Sequence, residues 1–214
     1  MDFCCDPWGF PQVILPGNRA VGLWPLLKVQ YEHYLGCPGV GEAGEQHYAQ
    51  LVAVSPRRSW RTPDFQRWEE LALTGVIPED LVGYCTHTGG GARLLTAREW
   101  REFDQLVTGQ TADPSILARL MALPRLHPAA AHLLRAFADR EPEFPIRRLA
   151  GLERGILEWV RHSTGPGTGL YGRPREGLLQ KPIILNPQIH EPMSPFGTDR
   201  RRAFGIRIIR AVSG

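Results

Sequence analysis

A chain of 214 residues with 43% hydrophobic and 22% charged residues has the size and composition of a globular domain with its own core. Its formal net charge of +3 is too small to indicate a nucleic-acid or membrane partner by itself. It has no run of about 18 apolar residues and no basic segment followed by an apolar one, so we expect neither a transmembrane helix nor a secretory signal.

The cysteines show neither a zinc-ligand spacing nor a regular disulfide framework. They are Cys4, Cys5, Cys37 and Cys85, and the first two are adjacent. We therefore expect a cytoplasmic protein with reduced thiols, and we predict no metal and no cofactor.

Apolar side chains at helical spacing predict helices over residues 28–35 and 63–73. A shorter helix is predicted over 78–84, ahead of a turn at Gly89-Gly90-Gly91. That turn lacks the Gly-Lys-Ser/Thr ending of a phosphate-binding loop, so it predicts no nucleotide site.

The clearest helix start is at Thr96, because Glu99 three residues later can complete a capping box. Trp100, Phe103 and Leu106 then fall on one face, as in a helix that is buried on one side.

Asp113 followed by Pro114 predicts another helix, which Pro124 ends. A further helix is predicted over 128–139, and the two form a helical hairpin laid on the main body. From residue 153 onward the chain is predicted to be mainly strand and loop, with strands at 183–185 and 206–212.

Four segments carry a resemblance to a known family. They read PLLKVQYEHYL at 25–35, VGYC at 82–85 with ARLLTAREWREF at 92–103, RGILEWV at 154–160 and GIRIIR at 205–210. In this order they resemble the formylglycine-generating-enzyme (sulfatase-modifying factor) family, a branch of the C-type-lectin-like fold. The chain departs from the family pattern at Leu95, where proline is usual, and at the glycine and asparagine of the family's GNVWEW motif.

The resemblance implies one α+β domain over 1–214, irregular and loop-rich, with helices flanking a small antiparallel sheet and the two chain ends near each other. The helices at 113–139 then read as an insertion. Trp68, Trp100 and Trp159 are expected in the core.

The resemblance also implies a non-catalytic member. Family enzymes that make formylglycine hold copper on a late cysteine pair, and this chain has no cysteine after Cys85. A second branch, the sulfoxide synthases of thiohistidine biosynthesis, binds iron through histidines of an extra helical domain, whereas the seven histidines here are dispersed. Cys85 and His87 point apart on a helix or a strand, so we do not expect a nucleophile and base there.

A basic excess between residues 173 and 210 is the candidate binding surface, since this region forms the loop-built ligand face in the family. Arginine can hold a carboxylate or phosphate with two hydrogen bonds. Trp60 has arginine neighbours in the sequence, and it is expected either at the binding surface or in the core. Arg207 is counted in this excess; the alternative is that Arg200 to Arg202 form an exposed turn and that Arg207 forms a structural salt bridge typical of the family. The predicted partner-binding residues are Trp60, Arg173, Arg175, Lys181, Arg200, Arg201 and Arg202.

The expected function is recognition of a protein partner, such as one with an acidic segment, by an adaptor domain. Relatives of this kind serve retroelement ligand display or accompany proteases and NTPases in bacterial conflict and signalling systems. The late run contains a single asparagine, Asn186, which argues against the display role. The alternatives are an enzyme with an unrecognised site and a nucleic-acid-binding module that uses Trp60 and the basic region. No membrane partner is expected.

Overall fold

The chain folds into a mixed α+β structure in which helices pack beside two sheets. The computed structural model describes residues 1–40, 42–54, 59–110, 113–140, 145–152, 156–161, 168–172, 183–184 and 204–212. Within these residues the strands are β1 (Asp2–Cys5), β2 (Pro11–Leu15), β3 (Arg19–Gly22), β4 (Arg93–Leu94), β5 (Leu157–Arg161), β6 (Thr168–Gly172), β7 (Ile183–Ile184), β8 (Phe204–Ile206) and β9 (Ile208–Ala211). The helices are α1 (Lys28–Leu35), α2 (Glu42–Val54), α3 (Trp68–Leu71), α4 (Val82–Thr88), α5 (Ala97–Thr108), α6 (Pro114–Met121), α7 (Pro128–Arg140) and α8 (Ile146–Leu149), with a 3₁₀ turn at Pro78–Leu81.

The first sheet joins segments from opposite ends of the sequence. Its strand order is β1-β2-β3-β9-β4, and all of its strand pairs are antiparallel. Arg210 of β9 adds side-chain bonds, because its guanidinium donates to the side chain of Gln12 and to the carbonyl of Cys5, each at 2.8 Å. The sheet therefore brings the early and late segments together, as the resemblance implies.

The second sheet corrects the expectation of a single antiparallel sheet. Its order is β7-β6-β5-β8, and β5 pairs with β8 in parallel. The prediction of one strand over 206–212 is also wrong in one respect, because the strand is broken at Arg207. Strand β8 belongs to the second sheet and β9 to the first. The chain thus crosses between the sheets at a single residue.

Arg207, the residue at this crossing, has a fully buried side chain (0% exposed). Its guanidinium forms a two-pronged ion pair with Glu158 of β5, with 2.8 Å from Nη2 to Oε1 and 3.0 Å from Nε to Oε2. The indole of Trp100 on α5 donates to Glu158 Oε2 at 2.8 Å. Burial of such a pair is costly, so its stability requires that the remaining polar atoms also find partners.

The remaining donors of the Arg207 guanidinium do find partners. Nη1 donates to the carbonyls of Gly22 and Leu23 at the end of β3, and Nη2 donates to the carbonyl of Ala150 after α8 at 3.0 Å. The ring of Phe103 lies 4.5 Å from the guanidinium carbon. The structure thus confirms a structural salt bridge for Arg207, and this residue adds nothing to an exposed basic surface.

The capping box that predicts α5 is present. Thr96 Oγ1 accepts from the amide of Glu99 at 3.2 Å, and the Glu99 carboxylate accepts from the amide of Thr96 at 2.8 Å. Trp100 and Phe103 are buried as expected, whereas Val107 is more deeply buried than Leu106.

The predicted helix over 63–73 is too long, because α3 spans four residues. Ahead of it, the Asp64 carboxylate accepts from the amide of Gln66 at 3.0 Å and holds a local turn that competes with a helix. Behind it, Ala72 is extended and forms a β-bridge with Leu27. Trp68 is nevertheless fully buried, as predicted.

The predicted hairpin of α6 and α7 is confirmed, and its apolar face belongs to the main core. Asp113 caps α6 by accepting from the amide of Ser115 at 2.8 Å. One buried cluster contains Trp100 and Phe103 together with hairpin residues Ile116, Leu120, Ala130, Leu133, Leu134 and Phe137. The hairpin is therefore part of the core and not a separate surface element.

Gly9 joins the turn between β1 and β2 to this hairpin. Its carbonyl accepts from the amide of His127 at 2.8 Å, and its φ is +89°. A Cβ at this position would lie 2.2 Å from the carbonyl oxygen of Arg125. The close approach of the two backbones therefore requires glycine.

We expect Gly9→Ala to lower the free energy of unfolding by more than about 2 kcal/mol, because it combines an unfavourable φ with a backbone clash. Gly17→Ala is the control. Gly17 also has a positive φ (+79°), but a Cβ there would lie 3.7 Å from the nearest atom, Arg19 Nε. The free energy of unfolding of Gly17→Ala should fall by roughly 1 kcal/mol. Urea unfolding measures both, and equal losses would contradict the proposed contact.

Replacement of Arg207 by Met should lower the free energy of unfolding by about 3–5 kcal/mol, because it leaves the Glu158 carboxylate buried without its partner. The Arg207→Met/Glu158→Leu double variant should lose less than the sum of the two single variants. Exposed Arg119, paired with Asp2 at 2.9 Å, is the control, and Arg119→Met should change stability by less than about 0.5 kcal/mol. Additive losses in the Arg207–Glu158 cycle would refute the coupling.

Candidate functional site

Of the predicted partner-binding residues, the structure describes Trp60. Its indole is half-buried and packs edge-on against His132 of α7, with ring centroids 5.6 Å apart, and the Arg61 guanidinium carbon lies 5.1 Å from the ring centroid. Trp60 thus combines packing against the core with a partly exposed surface. The basic residues Arg173, Arg175, Lys181, Arg200, Arg201 and Arg202 lie outside the described residues, and their role stays a prediction.

Sequence reasoning did not find a cleft between α4, β4 and the end of β5. It has a volume of about 550 Å³. Its described lining residues are Pro78, Leu81, Val82, Cys85, Thr86, Gly89, Gly91, Ala92, Arg93, Leu94 and Arg161. Val82 is 65% exposed and is the large apolar side chain most open to solvent among the described residues. The wall is thus mainly apolar, with two arginines.

A turn of three consecutive glycines borders this cleft, and Gly89 and Gly91 line it. Gly89, Gly90 and Gly91 all have positive φ, at +69°, +62° and +63°, which turns the chain from α4 into β4. The carbonyl of Gly90 accepts from the amide of Ala211 at 2.9 Å, so the turn is held against the end of β9. The predicted turn is therefore confirmed, and it is anchored to the first sheet.

The two arginines of the cleft differ in their ion pairs with the described residues. Arg93 forms two hydrogen bonds to the Glu99 carboxylate, at 2.7 and 2.8 Å, and Arg19 contacts the same group at 3.2 Å. Arg161 is exposed, its amide donates to the carbonyl of Leu95 at 2.9 Å, and its guanidinium has no ion pair with any described side chain. Within the described part of the chain, Arg161 is thus the arginine of the cleft without an ion pair.

Glu99 stays ionised in this arrangement. Burial alone would raise the pKa of its carboxyl, but hydrogen bonds from Arg93 and from Thr96 outweigh that effect and lower the pKa to about 2. Arg19 also pairs with Glu102 at 3.1 Å, so the two guanidiniums of this network are balanced by two carboxylates.

Cys85 lines the cleft but is not an activated nucleophile. Burial raises the pKa of its thiol to about 11, so the thiol stays protonated at neutral pH. His87, two residues later on α4, instead lies parallel to Trp8, with ring centroids 6.1 Å apart, and also contacts Tyr34. Within the described residues no hydrogen bond joins the His87 ring to Cys85, and the ring contacts Trp8 and Tyr34 instead.

The cysteines Cys4, Cys5, Cys37 and Cys85 are all free and half-buried. Within the described ranges, no group of three or more His, Cys, Asp or Glu side chains is arranged to hold a metal ion. None of the described helices is long and apolar enough to cross a membrane.

Comparisons with known proteins give no relative of this chain: no family model, no curated protein and no solved structure matches it. The resemblance to the formylglycine-generating-enzyme family therefore depends on the four segments alone. Trp100, Glu158 and Arg207 come from three of these segments, and they meet in one buried hydrogen-bond network.

Apart from the cleft, a buried polar site lies at Asp6, in the turn between β1 and β2. Its carboxylate accepts from the amides of Trp8 and Phe10, at 2.9 and 2.8 Å, and from Gln30 Nε2 at 2.5 Å. A cavity of about 20 Å³ beside it is also lined by Tyr84 and has room for one water molecule. Burial raises the pKa of Asp6 to about 6, against the opposing effect of these hydrogen bonds.

Asp6 and Glu99 should give pH dependences of opposite sign. The raised pKa of Asp6 means that its ionisation, between its ordinary value of 3.8 and about 6, costs the folded state roughly 3 kcal/mol as the pH rises. The lowered pKa of Glu99 means that its contribution is complete above its ordinary value of 4.5 and is lost as the pH falls towards about 2.

Urea unfolding of the Asp6→Asn and Glu99→Gln variants from pH 2 to 7 checks both predictions. We expect Asp6→Asn to remove the loss of stability between about pH 4 and pH 6, and Glu99→Gln to remove the loss below about pH 4.5. A wild-type loss between pH 4 and 6 that persists in Asp6→Asn would contradict the assignment to Asp6.

Proposed function

We propose that this chain is a non-catalytic recognition domain of the C-type-lectin-like kind, which binds a protein partner through its surface. The observation that supports this best is the open, apolar-walled cleft, in which the guanidinium of Arg161 has no ion pair with any described side chain. Interfaces of proteins commonly combine an apolar centre with arginine at or near it. The basic residues between 173 and 202 extend this surface in the proposal.

The burial of the motif residues supports a structural role for the segments that resemble the family. Trp100, Glu158 and Arg207 satisfy one another in the core, where they contact no solvent. In this view the segments that resemble the family hold the fold, and surface loops determine what it binds. The proposed setting is an adaptor in a bacterial conflict, signalling or protease-associated system.

The two alternatives have weaker support. A nucleic-acid site would use the ring of Trp60 for base stacking, but His132 and Arg61 already contact that ring. An enzyme based on Cys85 would need a thiolate, and burial raises the pKa of this thiol to about 11.

Affinity capture from nuclease-treated native cytosol tests the proposed function. The full chain should retain a stoichiometric protein partner, which mass spectrometry identifies and calorimetry with the purified partner confirms. Arg200→Glu/Arg202→Glu should lose this partner, because the substitution reverses the charge of the proposed basic surface. Arg135→Glu/Arg140→Glu on α7 is the charge-matched control, since both side chains are exposed, and it should retain the partner.

Metal analysis of the purified chain accompanies the capture. Stoichiometric copper or iron without a protein partner would overturn the proposal in favour of an enzyme. Retention of nucleic acid with an affinity that falls steeply with salt would favour the nucleic-acid module, since bound phosphates release counterions.

A further inference from the structure

We infer that the cleft between α4 and β4 binds a short peptide segment of the partner that presents an aliphatic side chain beside a carboxylate. This inference rests on the proposed function and specifies one site and its ligand. Its residues are different ones from the basic residues at 173–202.

The apolar wall favours an aliphatic side chain. Pro78, Leu81, Val82, Ala92 and Leu94 line the cleft; Leu81 and Leu94 are buried, whereas Val82 leaves 65% of its area in water. Covering this surface would remove apolar area from solvent, which is the main favourable contribution to association. The cleft volume of about 550 Å³ leaves room for such a side chain.

The charges favour a carboxylate beside that side chain. The described lining residues include Arg93 and Arg161 and no acidic side chain. Arg93 is engaged by Glu99, whereas the guanidinium of Arg161 has no described partner and can grip a carboxylate with two hydrogen bonds. A ligand with a cationic group at this position would be repelled.

The walls of the cleft are held in place before any ligand arrives. The Asp80 carboxylate accepts from the amide of Ile77 at 2.9 Å and fixes the 3₁₀ turn that leads into α4. Gly90 is bonded to Ala211, and Arg161 is bonded through its amide to Leu95. A preformed site loses little conformational entropy on binding, so a short segment suffices as a ligand.

The exposed rim favours a peptide over a small molecule. Val82, Thr86, Gly91 and Arg161 are all exposed, so the site is a groove along the surface. Small-molecule sites usually bury about 70–90% of their ligand, which an open groove does not do. An extended chain crosses such a groove and continues on either side.

The test is selection of short random peptides displayed on phage against the immobilised full chain. We expect enriched peptides to contain an aliphatic residue next to Asp, Glu or a free C-terminal carboxylate. Fluorescence anisotropy of the synthesised peptides should give at least about tenfold weaker binding to Val82→Asp and to Arg161→Gln. Replacement of the peptide's acidic residue by its amide should weaken binding by a similar factor.

Two control variants separate this site from general charge effects. Arg161→Lys keeps the charge but loses the two-pronged geometry, so it should fall between wild type and Arg161→Gln. Arg135→Gln on α7 removes an exposed guanidinium elsewhere and should bind as wild type does. Val82 and Arg161 are exposed, so unchanged urea unfolding midpoints are expected and would show that losses of binding are not losses of folding.

The possible failures are distinguishable from failure of the proposed function. If no peptide is enriched, or if enriched peptides bind Val82→Asp and Arg161→Gln as tightly as wild type, the inferred site is wrong. If the protein partner is still captured and is lost on Arg200→Glu/Arg202→Glu, the proposed function stands without this site. If neither peptide nor partner binds, both are refuted.

Discussion

The ion pair between Arg207 and Glu158 is the interaction on which the rest of the structure depends. A guanidinium and a carboxylate without solvent contact are stable only if nearly every donor and acceptor is satisfied. Here that requirement draws the end of β3, the end of α8 and the indole of Trp100 to one point. A displacement of any of these elements would leave a buried charge without a partner, so the pair specifies how the two sheets join.

The Arg207–Glu158 ion pair also positions strands that border the cleft. Arg207 determines where β9 starts, and β9 in turn pairs with β4 and holds the turn at Gly90. Glu158 lies on β5, and the last residue of that strand is Arg161. The wall formed by β4 and Arg161 thus depends on strands that the buried ion pair positions, whereas the opposite wall is formed by α4 and the 3₁₀ turn before it.

Local signals in the sequence were enough for α1, for the capping box at Thr96 and for the hairpin that starts at Asp113, because each depends on neighbours along the chain. Strand β2 is buried on both faces and shows no alternation of polar and apolar residues, so β1–β3 were not predicted. Helix α2 was also missed. The break at Arg207 and the cleft depend on contacts between distant segments, which no local pattern contains.

The position of β9 between β3 and β4 also has a consequence for biosynthesis. Strands β1–β3 precede β9 by most of the sequence, and the edge of β3 has no partner in this sheet until β9 (Ile208–Ala211) has been translated. An unpaired edge is a template for association with other chains. During synthesis the edge of β3 is therefore open to association with other chains until β9 follows.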